Sequence, residues 1–144
     1  MNAPVRCLTL SLMRDRYVVL RFAADAAVPA WASKGDFTSI TRTLDELSIV
    51  CAAENVSSAE RPDTLWHALK VHGPFKFNEI GVLASLATPL ATANIGIFVI
   101  STFDTDYLMI QIKDIRKAIS ALQSAGHNVL QSHFLVNDTK ENEA

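Results

Sequence analysis

The chain has 144 residues, 49% of them hydrophobic and 19% charged, with a net charge of −2. Those values suit one compact domain, or two very small ones sharing a core, and exclude extensive disorder. The basic residues number 13 against 15 acidic ones and form no run, so the clustered positive face that a phosphate backbone demands is missing and no nucleic-acid partner is expected.

Bilayer crossing needs about 18 consecutive apolar residues. The longest apolar run, Ile95 to Ile100, is only strand-length, so no membrane partner is expected. Residues Met1 to Leu8 lack the basic start, apolar run and small-residue cleavage site of a secretion signal. Cys7 and Cys51 both sit in apolar strand-like runs, which fits buried thiols in a reducing compartment better than a disulfide. The expected location is the cytoplasm.

In chain order, Arg6 to Met13 reads as a strand, followed by the polar turn 14–16 and a second strand from Tyr17 to Ala23, rich in β-branched and aromatic residues. Pro29 to Ser33 reads as a helical turn ended by Gly35. Phe37 to Thr43 alternates apolar and hydroxyl residues, and Leu47 to Ala53 is its apolar partner across the turn 44–46. The polar stretch Asn55 to Pro62 is the best boundary, giving a module over 1–61 and a domain over 62–136.

The second part is strand, helix, strand, strand, helix, strand. Trp66 to Val71 is closed by Gly73-Pro74. A helix is expected from Asn78 or Glu79, with Ile80, Leu83, Ala84, Ala87, Leu90 and Ala91 on one buried face. Pro89 should bend or end it, and Asn94 is a reasonable stop. Ile95 to Ile100 and Tyr107 to Ile112 form a hairpin around Ser101-Thr-Phe-Asp-Thr-Asp106. Asp114 opens a second helix with the stripe Ile115, Ala118, Ile119 and Leu122, and Gly126 suits the position just past its end. His127 to Leu135 is the last strand, and 137–144 is a polar tail.

Catalytic and metal chemistry finds little support. His67 with His72 and His127 with His133 lack the spacing of a metal site with a nearby carboxylate, and no metal or cofactor is expected. Ser11, Ser85 and Ser101 stand in no Gly-x-Ser-x-Gly elbow. Asp104 with Asp106 falls far short of a calcium loop. Trp31 and Trp66 have no basic groove beside them and read as core or interface anchors. The chain is not expected to be an enzyme.

The runs Trp66-His-Ala-Leu-Lys-Val-His-Gly73, Gly81-Val-Leu-Ala84 and Ile97-Phe-Val-Ile-Ser-Thr-Phe-Asp-Thr-Asp-Tyr107 resemble the ACT domain, in the branch related to cytosolic arginine sensors and aspartate kinase regulatory domains. Phe37 to Thr43 with Glu46 to Val50 is similar to an abbreviated first ACT module. The resemblance implies an α+β protein. It would hold two ferredoxin-like βαββαβ modules in tandem, the first abbreviated, with antiparallel sheets and helices on one face. It further implies a regulatory protein that binds a free amino acid or similar small metabolite at an ACT–ACT interface, acts as a homodimer and signals to a regulated protein partner.

The first backbone amides of a helix have no intrahelical acceptors and carry partial positive charge, so Glu79, Ile80, Gly81 and Val82 suit an amino acid's carboxylate. Gly81 matches the family glycine and lets a ligand approach the backbone. Thr102, Phe103 and Asp106 match the hairpin motif and would give a hydrogen bond, an apolar wall and a negative charge for an ammonium or guanidinium. Two plainer readings stand beside this one: the aspartates only make the turn, and Gly81 only permits close packing of helix on strand. A protein-interaction module without a small ligand is the alternative function.

Overall fold

The computed structural model describes residues 7–75 and 79–131. Its elements in order are β1 (Thr9–Leu12), β2 (Tyr17–Phe22), β3 (Ser39–Arg42), β4 (Leu47–Ala52), β5 (Trp66–Val71), α1 (Val82–Thr92), β6 (Ile97–Ser101), β7 (Asp106–Gln111), α2 (Ile115–Ser124) and β8 (Asn128–Leu130). The expected polar tail, His133 and the expected end of the last strand lie outside the described residues.

The chain forms two compact units. One comprises Met1–Arg14 with His67–Ala144, and the other Asp15–Trp66. This departs from a division at residues 61 and 62. The N-terminal strand does not stay with its sequence neighbours but enters the larger unit. β1 runs antiparallel to β5, with Leu10 opposite Val71, and parallel to β8, with Leu10 opposite Val129. The strand order there is β6-β7-β5-β1-β8, so β1 separates two strands that a plain βαββαβ module would set side by side, and the sheet is mixed rather than wholly antiparallel. The physical reason is apolar alternation. Leu8, Leu10 and Leu12 face the same way and join Leu69, Val71, Leu108, Ile110 and Val129 in one buried cluster. Val82, Leu86 and Leu90 of α1 and Ile115, Ala118, Ile119 and Leu122 of α2 fill the rest of it, so both helices cover the same sheet face.

The buried face of α1 is not the expected one. Val82, Leu86 and Leu90 are buried, while Ile80 precedes the helix and is 87% exposed and Leu83 is 38% exposed. This helix is apolar nearly all round, so its sequence offers two competing stripes. The core-side stripe passes through Ser85 and Pro89, both half-buried, whose residue types disguise it. Ser85 is accommodated because its hydroxyl donates to Val82 O at 2.7 Å. Pro89 neither ends α1 nor leaves a carbonyl without a donor. It cannot bond Ser85 O, and His127 Nε2 lies 3.0 Å from that oxygen instead. The other ring nitrogen, Nδ1, accepts from Leu8 N at 3.1 Å, which fixes the hydrogen on Nε2. One buried imidazole thus ties β1 and the start of β8 to the middle of α1.

The smaller unit has the order β3-β4-β2, all antiparallel. Among its described residues there is no α-helix, only the 3-10 turns Ala30–Ser33 and Ala53–Asn55, so it is not a second βαββαβ module. Pro29 starts the first of these turns, and the backbone is extended again at Lys34, so the link between β2 and β3 carries a single 3-10 turn. Its core is Val18, Ala32, Leu47, Ile49, Cys51, Ala53 and Val56, with Trp31 packed against it. Arg42 of β3 donates to the carbonyls of Ala24 and Ala26 and holds that link down.

Candidate functional site

The site begins with the N-terminus of α1. Gly81 has φ +84° and ψ 2°, a left-handed conformation that glycine adopts without the steric cost of a Cβ. That conformation stops helix upstream, so α1 starts at Val82 rather than at 78 or 79. Ser85 N closes the first turn on Gly81 O at 3.0 Å, and the residue at the N-cap, a glycine, has no side chain to cap it. The amides of Val82, Leu83 and Ala84 therefore have no acceptor within the helix. A Cβ built on Gly81 would meet nothing within 4 Å. Close packing is thus not the reason for this glycine; its backbone conformation is, and the space beside it is open.

The second wall is the β6–β7 hairpin, where Ser101 pairs with Asp106. Its turn is made by threonines. Thr102 N and Thr102 Oγ1 both donate to Thr105 O, at 2.8 and 3.0 Å, and Thr105 N donates back to Thr102 Oγ1 at 3.2 Å. Thr105 Oγ1 donates to Val71 O at 2.6 Å and anchors the turn to the end of β5. Phe75 N donates to Asp104 O at 2.9 Å and adds another tie. Gly73 makes that approach possible, since a Cβ there would sit 3.0 Å from Asp104 O and 3.1 Å from Phe75 N. The turn thus relies on hydroxyls, and the carboxylate of Asp106 accepts from the Ser101 hydroxyl.

Between these walls lies an open cleft of about 300 Å³. Of the residues expected from sequence, Glu79, Gly81, Val82, Thr102, Phe103 and Asp106 line it. Ile80 is not among the lining residues and faces solvent. Phe75, Leu83, Ala84, Ser101, Asp104 and Thr105 line it as well and were not foreseen as site residues. Ser101 and Thr105 lie within the hairpin motif itself, and the pairing of 101 with 106 sets Ser101 beside the expected Asp106. Phe75 carried no signal in the sequence.

The charge of the cleft is one-sided. Glu79, Asp104 and Asp106 contribute three carboxylates, and among the described residues no Lys, Arg or His lines it. The compensating donors are the helix amides. An arrangement of this kind can hold a carboxylate at the helix start and cationic groups at the hairpin. Among the described residues no group of three or more His, Cys, Asp or Glu side chains is placed to hold a metal ion. No helix among them is long and apolar enough to cross a membrane.

The model of the ACT domain matches residues 62–124, the stretch that carries both walls of the cleft. Residues 62–124 belong to the ACT domain family. A second model, describing an N-terminal domain, matches residues 15–59, which fall within the smaller unit. The ACT region is similar to the cytosolic arginine sensor for mTORC1 subunit 1 of Homo sapiens, with 38% identity over 60 residues. That alignment covers 41% of this chain and 18% of the sensor, so the chain spans less than a fifth of the curated relatives it matches. A crystal structure of an Agrobacterium tumefaciens protein is similar over nearly the whole chain, with 42% identity, a TM-score of 0.80, and coverage of 91% of this chain and 96% of that one. The aspartate kinase of Clostridium acetobutylicum shares the fold, with a TM-score of 0.59 at 12% identity over 88% of this chain and 36% of the kinase.

Proposed function

We propose that this ACT domain protein senses a free amino acid bound in the cleft between the start of α1 and the 101–106 hairpin. The observation that carries the reading is the shared cleft itself. The first amides of α1, Val82 to Ala84, which have no acceptor within the helix, stand on one side and the Asp106 carboxylate on the other, the two halves of a zwitterion's complement. The volume of about 300 Å³ suits a ligand of that size. The hairpin carboxylates Asp104 and Asp106 favour a ligand carrying a second positive charge, so arginine and lysine are the first candidates. The similarity to an arginine sensor supports the same choice.

The cleft is open, and a second copy of the chain closes it in this proposal, forming a homodimer with the ligand at an ACT–ACT interface. β6 supports that arrangement. Among the described residues it pairs only with β7, and its Ile97 to Ile100 are half-buried, which leaves an apolar sheet edge. The bound state would then act on a regulated protein partner in the cytoplasm. Calorimetry and melting of the full chain with each of the twenty amino acids test the proposal. At a ligand concentration ~100 times Kd the gain is about 2.7 kcal/mol. Asp106→Ala should remove that gain and leave the unliganded melting temperature within a degree or two. Flat melting curves with every amino acid would refute the proposal.

A second reading, docking of a protein segment without a small ligand, draws on Ile80 and Phe103, which are 87% and 80% exposed. Loss of stabilisation by amino acids in Asp106→Ala separates the two, because the docking reading predicts no such stabilisation in either protein.

A further inference from the structure

We infer that the chain has a second binding site, for a small oxyanion, on the sheet face turned away from the two helices. It does not depend on the amino-acid reading of the first cleft. Leu10, Leu12, Leu69 and Val71 point toward α1 and α2. Their neighbours Ser11, Lys70 and His72 therefore point to the other face. The register of β1 on β5 sets Ser11 directly opposite Lys70. His72 follows two residues later, and its amide donates to Thr9 O at 2.8 Å, which continues the ladder and holds the ring beside Ser11. Ser11 Oγ and His72 Nε2 are 2.5 Å apart.

These side chains line a cleft of about 490 Å³, bounded further by Gly73, Pro74, Asp104 and Thr105. The Lys70 ammonium is a compact charge with rotatable donors. The imidazole hydrogen bond orients the serine hydroxyl. With the hydrogen on Nε2, the ring donates to Ser11 Oγ, and the hydroxyl hydrogen is left to point at an anion. An ammonium and a hydroxyl held side by side are the complement of a carboxylate or phosphoryl group. Asp104 repels negative charge at the rim, so the oxyanion sits at the Ser11–Lys70 end. The volume exceeds that of a bare oxyanion and leaves room for an organic body. Asp104 and Thr105 also stand in the wall of the first cleft, so the two sites share one turn.

The test is amide chemical-shift titration of the full chain with sodium phosphate and, separately, sodium succinate. Sodium chloride at matched ionic strength is the control. Saturable shifts at Ser11, Lys70, His72 and Thr105 are expected with at least one of the two anions. Phosphate alone assigns a phosphoryl ligand, succinate alone a carboxylate, and both the shared oxyanion chemistry. Lys70→Met should weaken Kd by about tenfold or more, the worth of a charged hydrogen bond, and Lys70→Arg should retain most of the affinity. Shifts that grow linearly and match the chloride control would overturn the assignment. So would shifts centred on Val82 to Ala84, or an unchanged Kd in Lys70→Met.

Discussion

Replacing His127 by alanine should be among the most destabilising single changes in the larger unit. The residue is 5% exposed and makes two hydrogen bonds to main-chain atoms far away in sequence. Its loss orphans Leu8 N and Ser85 O together. Each buried orphan costs about 1–3 kcal/mol. Water entering the vacated space recovers part of that, so the expected loss is roughly 2–4 kcal/mol. For a chain of this length that lowers the melting temperature by about 8 °C. Pro89 supplies an internal control. Ser85 O depends on the imidazole because residue 89 has no N–H to give. Pro89→Ala restores that donor, so His127→Ala should cost about 1 kcal/mol less in the Pro89→Ala background. Urea denaturation of the four proteins in this cycle measures both values. A single-mutant loss below about 0.5 kcal/mol, within the range of a neutral surface change, would refute the strut. An identical cost in both backgrounds would refute the link between the imidazole and Ser85.

Gly81→Ala should destabilise by about 1–2 kcal/mol through its left-handed backbone alone, since the added methyl meets no atom. The same methyl enters the first cleft, so calorimetry should also show amino-acid affinity falling. Cys7 is exposed and Cys51 buried, and burial raises the Cys51 thiol above its ordinary range. A thiolate-specific reagent at neutral pH should label one cysteine in the native protein and two after denaturation. A thiol raised by burial favours the fold while it stays protonated, so its contribution fades only at alkaline pH, as the unfolded thiol ionises first.

Local chemistry made much of the ACT region legible. Trp66–Val71 is a strand at its expected bounds, Asn94 has φ +62° and Gly126 φ +97° past the helix ends, and the α2 stripe is buried as its period requires. The hairpin was written in its Ser-Thr-Phe-Asp-Thr-Asp motif, and so was most of the first cleft. The face of α1 was not, because a helix apolar on every side has no unique period. The first strand illustrates the same limit at longer range. Alternation at Leu8, Leu10 and Leu12 fixed which side of β1 is apolar, but nothing local specified β5 and β8 as its neighbours.

Residue types and spacings thus determined the ACT elements, their caps and turns, and the family resemblance pointed to Gly81, Val82, Thr102, Phe103 and Asp106, which line one cleft. Only tertiary structure decided where β1 inserts, that the smaller unit forms without an α-helix, and that His127 answers the carbonyl left by Pro89. It alone brought Ser11 against His72. These outcomes depend on contacts between residues dozens of positions apart, and such contacts are selected by how buried surfaces and hydrogen-bond partners fit together, which a local pattern does not encode.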